Sequence, residues 1–519
     1  MELYEEILKN CPHNAEIQES VSSWDFSHYS CGSAEIRDLS KALNKNSTLT
    51  SLNLNSIELG SINTNFITSF FMRSGVNALA DALCKNSTLT TLNLSSNKLG
   101  SEEGKLVADV LCKNTTLKDL NLSYNNLGSE GGKALADALC KNSTLKDLSL
   151  TCNNLESEGG KAIADALCKN STLIFLNLRS NNLGSEGGKA LANALCNNST
   201  LTILNLESNK LGSDLNISWI GSEGTKALAG SLCKNFTLKV LNLNNNSIGS
   251  AGEALVDSLC KNSALTSLDL RENKLGPKEA KALADSLCKN STLKDLDLRY
   301  NNLGSEGGKA LADALCKNFK LTSLNLYDNA IGSEGGNALA GALCKNSTLT
   351  ILNLSSNKIG SEGGNALANA LCKNFTLTSL NLFDNDLGLE GGKALAGALC
   401  KNSTLTSLNL SSNKLGSKGG KAIADALCKN TTLRYLNLDY NFLEFEPKRG
   451  KSLSDALSDA LCRNSTLTFL NLAYNNIGSK GGEALADALY KNSTLTSLNL
   501  GGNRIISIIV YKFQNKEVK

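Results

Sequence analysis

Few residues in this 519-residue chain could do chemistry, and most of those recur too regularly to form a single site. Two histidines, His13 and His28, leave no histidine-rich metal set and little scope for imidazole catalysis. No HExxH and no GxSxG is present. The segment GSEGGKA at 128–134 has the composition of a phosphate-binding turn, but its spacing is wrong. Three residues rather than four separate Gly128 from Gly132, and Ala134 stands where a Mg²⁺-binding Ser or Thr belongs. The same segment recurs down the chain, as does Asp137, so neither offers the unique acid–base pair that hydrolysis needs. No catalytic residue, cofactor or metal is expected. Seventeen cysteines remain, and fourteen share one repeat position, from Cys84 and Cys112 to Cys428 and Cys462. No CxxC or Cys/His spacing accompanies them. Helix spacing of about 8–10 Å would hold neighbours beyond disulfide reach. They read as buried thiols acting as small hydrophobes, which places the chain in a reducing compartment, cytoplasmic or nuclear.

The elements that position these residues come from one repeated unit, LxxLNLSxNxLGSEGGKALADALCKNST. Its LNL core opens at Leu52, Leu92 and Leu120 and recurs to Leu498, sixteen times, with eleven of fifteen steps of 28 residues. An earlier copy, VSSWDFSHY, places Trp24 and Phe26 on the two leucine positions. Leu120 and Leu122 alternate with Asn121, which predicts a strand. Asn125 follows where a turning chain needs a side-chain amide for buried backbone groups. Its column starts one repeat in, because Ile57 holds that slot in the first copy. Ser129 is placed to cap a helix whose buried stripe is Gly131, Ala134, Leu135, Ala138 and Leu139, with Lys133, Asp137 and Lys141 on the far face. Strands about 4.8 Å apart and helices about 8–10 Å apart must curve with the strands inside.

These motifs resemble the leucine-rich repeat family over roughly residues 21–504, and the 28-residue period is similar to the ribonuclease-inhibitor subclass. NOD-like receptors and Ran GTPase-activating proteins share that subclass. The resemblance implies an α/β solenoid, a horseshoe with parallel strands on the concave face and helices on the convex face. The expected organisation is an N-terminal cap with a degenerate repeat (1–48), sixteen repeats (49–504) and a C-terminal cap or tail (505–519). Leu3, Ile7 and Leu8 fall on an expected capping helix, and RIISIIVYKF follows the last repeat. The start lacks a signal peptide's basic and apolar regions, and no apolar run is long enough to span a membrane.

Invariant positions specify the scaffold, so partner information must sit where copies differ. The two residues after the second core leucine vary most. They supply Tyr124, Arg179, Arg271 with Glu272, Arg299 with Tyr300, Tyr327 with Asp328, Phe383 with Asp384, Asp439 with Tyr440, and Tyr474. The residue before the first leucine adds Phe175, Tyr435 and Phe469. Aromatics are 5% of the chain, and with arginine they are the usual interface anchors. Drift at tolerant surface positions would also produce such variation. Two clusters stand out, 271–384 and 435–474. Three insertions, 61–74, 213–221 and 444–454, add Ile62, Phe66, Ile67, Phe70, Phe71, Trp219 and Phe445 on one expected edge.

The expected function is a non-enzymatic, monomeric scaffold that binds a protein partner on the concave face. The alternative implied by the resemblance is activation of a small Ran-like GTPase, although the chain ends QNKEVK without the acidic tail usual there. A net charge of +3, with basic residues dispersed among acids, argues against a nucleic acid partner and falls short of the strongly acidic character a ribonuclease inhibitor requires; with no spanning run, no membrane partner is expected either.

Overall fold

The computed structural model describes residues 22–29, 31–59, 66–212, 223–443 and 453–505. The insertion residues Ile62, Trp219 and Phe445, and Leu3, Ile7 and Leu8, lie outside them, as does the chain from Ile506. Phe66 opens a helix that runs to Lys85.

The chain divides into two units, Met1–Leu268 and Asp269–Lys519. The first holds β1 (Ser23–Asp25), β2 (Ser51–Asn53), β3 (Thr91–Asn93), β4 (Asp119–Asn121), β5 (Asp147–Ser149), β6 (Phe175–Asn177), β7 (Ile203–Asn205) and β8 (Val240–Asn242). The division falls within β9 (Ser267–Asp269). The second holds β10 (Asp295–Asp297), β11 (Ser323–Asn325), β12 (Ile351–Asn353), β13 (Ser379–Asn381), β14 (Ser407–Asn409), β15 (Tyr435–Asn437), β16 (Phe469–Asn471) and β17 (Ser497–Asn499). Within each unit consecutive strands pair in parallel, core leucine against core leucine: Trp24 with Leu52, Leu120 with Leu148, Leu324 with Leu352 and Leu436 with Leu470. Helices alternate with the strands, so each unit is an α/β leucine-rich solenoid segment.

Burial follows the pattern of residue types. In β4 only Leu120 is buried, while Asp119 and Asn121 stand on the open face of the sheet. The helix Gly128–Leu139 buries Gly131, Gly132, Leu135, Ala136, Ala138 and Leu139. Gly132 is required by close approach: a Cβ there would meet Leu155 Cδ2 at 3.0 Å and Gly159 Cα at 3.3 Å on the next repeat.

Two asparagine columns close the backbone. Asn125 Oδ1 accepts from the Asn97 and Leu99 amides of the preceding repeat, at 2.9 and 3.0 Å. Its Nδ2 donates to Leu94 O and Leu122 O at 3.0 and 2.8 Å. The column begins with Asn97, whose Oδ1 accepts from the Ile57 amide. The second column was hidden in KNST. Asn346 Nδ2 donates to Leu315 O at 2.8 Å, and its Oδ1 accepts from the Leu349 amide at 2.8 Å. This sequon asparagine is buried with its amide committed, not a solvated loop residue.

Three expectations need correction. Ser129 does not cap its own helix, which has no side-chain cap; its hydroxyl donates to Leu155 O of the next repeat at 2.9 Å. The repeat cysteines are not buried: Cys112, Cys140, Cys168, Cys196, Cys344, Cys400 and Cys462 are exposed, and the others of the column are intermediate. At about 100° per residue, position 140 lies about 40° past Ala136, the last buried position on that side. Ala134, expected in the buried stripe, is only half-buried, while Gly132 and Ala136 are buried.

Asp119 and Asp147 are direct partners on β4 and β5. Burial raises both carboxyl pKa values, and the Asp147 charge raises that of Asp119 further. Folded carboxyls with raised pKa values favour the native state while protonated. Their relative benefit is therefore present below the unfolded carboxyl range and is lost as pH rises through the folded values.

Two outcomes follow from these contacts. Asn357 accepts from the Asn329 and Ile331 amides and donates to Leu326 O, Leu354 O and Ser355 O. Asn357→Ala should cost about 3 kcal/mol or more in urea unfolding, because several buried groups lose their partners. The exposed helix residue Asn365→Ala should cost nothing. Asp147→Asn should melt with wild type at pH 3 and above it at pH 7; an unchanged difference between the two pH values would refute the coupling.

Candidate protein-interaction surface

On each strand the residues flanking the core leucine, and the first residue past the second leucine, share the open face. The next residue adopts a left-handed backbone in every described copy of the turn. This holds for Tyr124, Glu272, Tyr300, Asp328, Asp384, Tyr440 and Tyr474, with φ between 50 and 57°. For a side chain other than Gly, Asn or Asp that conformation costs about 1 kcal/mol or more. Four tyrosines, Tyr124, Tyr300, Tyr440 and Tyr474, accept it with rings that remain exposed.

In the first unit Tyr124 is exposed at the end of β4. Arg179 is exposed and pairs with Glu207 on the adjacent strand at 3.2 Å, and Glu207 also accepts from Asn242 at 3.3 Å.

In the second unit the arginines are held from below. Arg271 Nε donates to both oxygens of Asp269 at 2.9 and 2.8 Å, and lies 3.7 Å from Asp297. Arg299 repeats this on Asp297, with Nε at 3.0 Å from each oxygen and Nη2 at 2.8 Å. Burial raises the Asp297 pKa, against the hydrogen bonds from Arg299 that lower it. Asp269 and Asp297 replace the strand asparagine, and sequence reasoning passed over them. The available signal was simple: Asp269 and Asp297 each stand two residues before an Arg, whereas Asn177 stands before Arg179.

Beside this ladder Tyr300 and Tyr327 meet edge to face, with centroids 4.8 Å apart. Their hydrogen bond, and then burial, pushes the Tyr300 hydroxyl up to about 12. Asp328 and Asp384 are exposed, and Asp384 accepts from Ser356 at 3.1 Å. Phe383 is half-buried on the open face two repeats along from Tyr327.

A denser group lies on β15 and β16. Tyr435 and Phe469 stack at the strand starts, 4.4 Å apart with planes 7° from parallel. Tyr440 and Tyr474 stack at the strand exits at 4.6 Å, and are 50% and 53% exposed. The Tyr474 ring covers Gly502, where a Cβ would collide with it. Asp439 lies beside Tyr440 with its pKa raised by burial and its Oδ1 buried without a hydrogen-bond partner. Phe442, exposed two residues further on, was not singled out from the sequence. Register sets Tyr435 against Phe469 and, five residues on in each repeat, Tyr440 against Tyr474; Tyr124 and Arg179 belong to the other unit. Among the described residues, no group of three or more His, Cys, Asp or Glu could hold a metal ion.

No curated protein sequence matches the chain. Among solved structures, leiomodin-1 actin-binding site 2 is similar at a TM-score of 0.23 and 25% identity, over 28% of this chain and 76% of that one. The tropomodulin C-terminal domain of Caenorhabditis elegans is similar at 0.26 and 14%, over 31% and 91%. TM-scores this low bear no argument about partners. The Leucine Rich repeat family model matches fourteen segments, the first at 85–105 and the last at 491–507, together more than half of the chain. With strand, helix and asparagine columns repeating in step with those segments, the chain belongs to the leucine-rich repeat proteins.

Proposed function

We propose that this chain is a non-catalytic scaffold that binds a protein partner on the open face of its strands, chiefly on the second unit. The observation behind this reading is the stacked aromatic group Tyr435, Phe469, Tyr440 and Tyr474. In a chain with 5% aromatics, four rings gather on two adjacent strands, and two of them occupy a costly backbone conformation while exposed. Large rigid rings of this kind bury much area at little loss of side-chain freedom.

The 28-residue strand–helix unit supports placement in the ribonuclease-inhibitor-like subclass. Exposed, unpaired thiols support a cytoplasmic or nuclear setting, where such groups stay reduced. The GTPase-activating alternative lacks comparable support. Each arginine considered for it is engaged by a carboxylate: Arg179 by Glu207, Arg271 by Asp269 and Arg299 by Asp297. A finger would first have to break those pairs before it could meet a transferring phosphoryl group.

The test is affinity capture from a reducing extract, comparing wild type with the variant Tyr440→Ser/Tyr474→Ser, its fold checked by circular dichroism and melting. A partner retained by wild type and reduced at least tenfold by the variant is expected, since losing two anchors removes on the order of 2 kcal/mol or more. Identical capture by a folded variant would refute the reading.

A further inference from the structure

The lysines of the repeat fall into two sets. Those near helix starts pair with a glutamate three residues earlier, as Lys133, Lys189, Lys309 and Lys393 do with Glu130, Glu186, Glu306 and Glu390. The second set follows the helix C-terminus, in the loop leading to the next strand. In the second unit all eight repeats from Lys289 to Lys491 place an exposed Lys or Arg there. A cation at that end complements the helix dipole, which accounts for its recurrence throughout the chain.

The dipole does not account for two departures that fall on four consecutive loops. An aspartate normally stands one turn before this cation, as Asp313 does before Lys317 and Asp425 before Lys429. In three consecutive repeats it is missing: Gly341, Asn369 and Gly397 precede Lys345, Lys373 and Lys401. Among the described residues none of these three lysines forms a salt bridge. On the second of these loops Phe375 replaces the usual serine two residues after the cation, and Phe319 does so on the loop just before the three, which keeps Asp313; the rings are 64% and 59% exposed. Lys320 adds a further exposed charge. The consecutive helices pack side by side, so these loops lie in one row.

We propose that this row of helix-to-strand loops, 317–403, is a peripheral docking edge for an anionic lipid bilayer. The expectation of no membrane partner rested on the lack of a spanning apolar run, which does not bear on peripheral contact, and along this edge three successive loops lack the usual acid. Lysine ammoniums meet anionic headgroups, while the phenylalanine rings, which have no polar tip to keep hydrated, enter the boundary with the acyl chains. Such contact needs no spanning segment, and no described helix is long and apolar enough to cross a membrane. Single-stranded nucleic acid also offers phosphates and stackable faces, but it is held in a groove that follows its backbone. Loop tips in a row present an edge. This surface is separate from the aromatic strand face, and its test does not depend on that reading.

The experiment is flotation of the full chain with phosphatidylcholine vesicles, with and without 30% phosphatidylserine, at 50 mM and 500 mM salt. Binding is expected only to the anionic vesicles and only at low salt. The decisive variant restores the repeat's own residue: Gly341→Asp/Asn369→Asp/Gly397→Asp. A Cβ at Gly341 or Gly397 meets nothing within 4 Å, so this chain should fold. It should bind at least tenfold more weakly, given roughly fivefold per neutralised charge near such a surface. Phe319→Ser/Phe375→Ser should lower binding at unchanged net charge. Absence of wild-type binding, equal binding to neutral vesicles, or an unaltered triple-aspartate variant would overturn the proposal. So would tighter binding to an oligouridine than to the anionic vesicles, which would assign the edge to nucleic acid instead.

Discussion

A single side-chain amide per repeat holds the molecule's most demanding region together. The chain must turn sharply after each three-residue strand, and the turn leaves buried N–H and C=O groups that no strand can reach. Asn125 and its equivalents satisfy those groups in two successive repeats at once, accepting from one and donating to both. A second amide does the same at the other end of the strand, as Asn346 does between the Leu315 carbonyl and the Leu349 amide. Between these two columns the core leucine is fixed, and its neighbours on the open face are released from any structural duty.

That release explains the division of labour along the repeat. Positions such as Gly132 and Leu135 touch the next repeat and tolerate little change. Positions past the second leucine face outward and hold Ser, Arg, Tyr, Phe, Asp or Ala at will. Their differences need not all mean the same thing. The arginines at 271 and 299 are balanced by Asp269 and Asp297, so their charge is largely spent within the face. The rings at 435, 469, 440 and 474 have no such internal use beyond stacking on one another.

The fold was readable in the sequence because both periods, two for the strand and 3.6 for the helix, repeat sixteen times without conflict. Sequence and structure part where a contact crosses repeats or where a helix position falls just beyond the buried arc. The repeat cysteines read as buried, yet Cys140 lies about 40° past Ala136, beyond the last buried position of the helix. Ser129 has the residue type of a helix cap, but its acceptor, Leu155 O, belongs to the next repeat. The KNST asparagine shows no local sign of its role, because the carbonyls it donates to lie roughly one repeat away. At the candidate surface, variation alone pointed to Tyr440 and Tyr474. That the two rings stack follows from the register of β15 on β16 across a 34-residue step. The Asp partners of the arginines were overlooked because Asp for Asn is a small change on paper and a change of charge on the sheet.

The central claim, that the strand face and not the helix face meets a protein partner, is tested most directly by photo-crosslinking. A benzophenone-bearing residue would replace Tyr474 on the strand face or Tyr490, which is 75% exposed at the cysteine position of its helix. Both sites are exposed tyrosines within one repeat of each other, so chemistry and local concentration are matched. The account predicts a discrete crosslinked species in reducing extract from position 474 and none from 490. Equal crosslinking at both positions, or a discrete product from 490 alone, would contradict it.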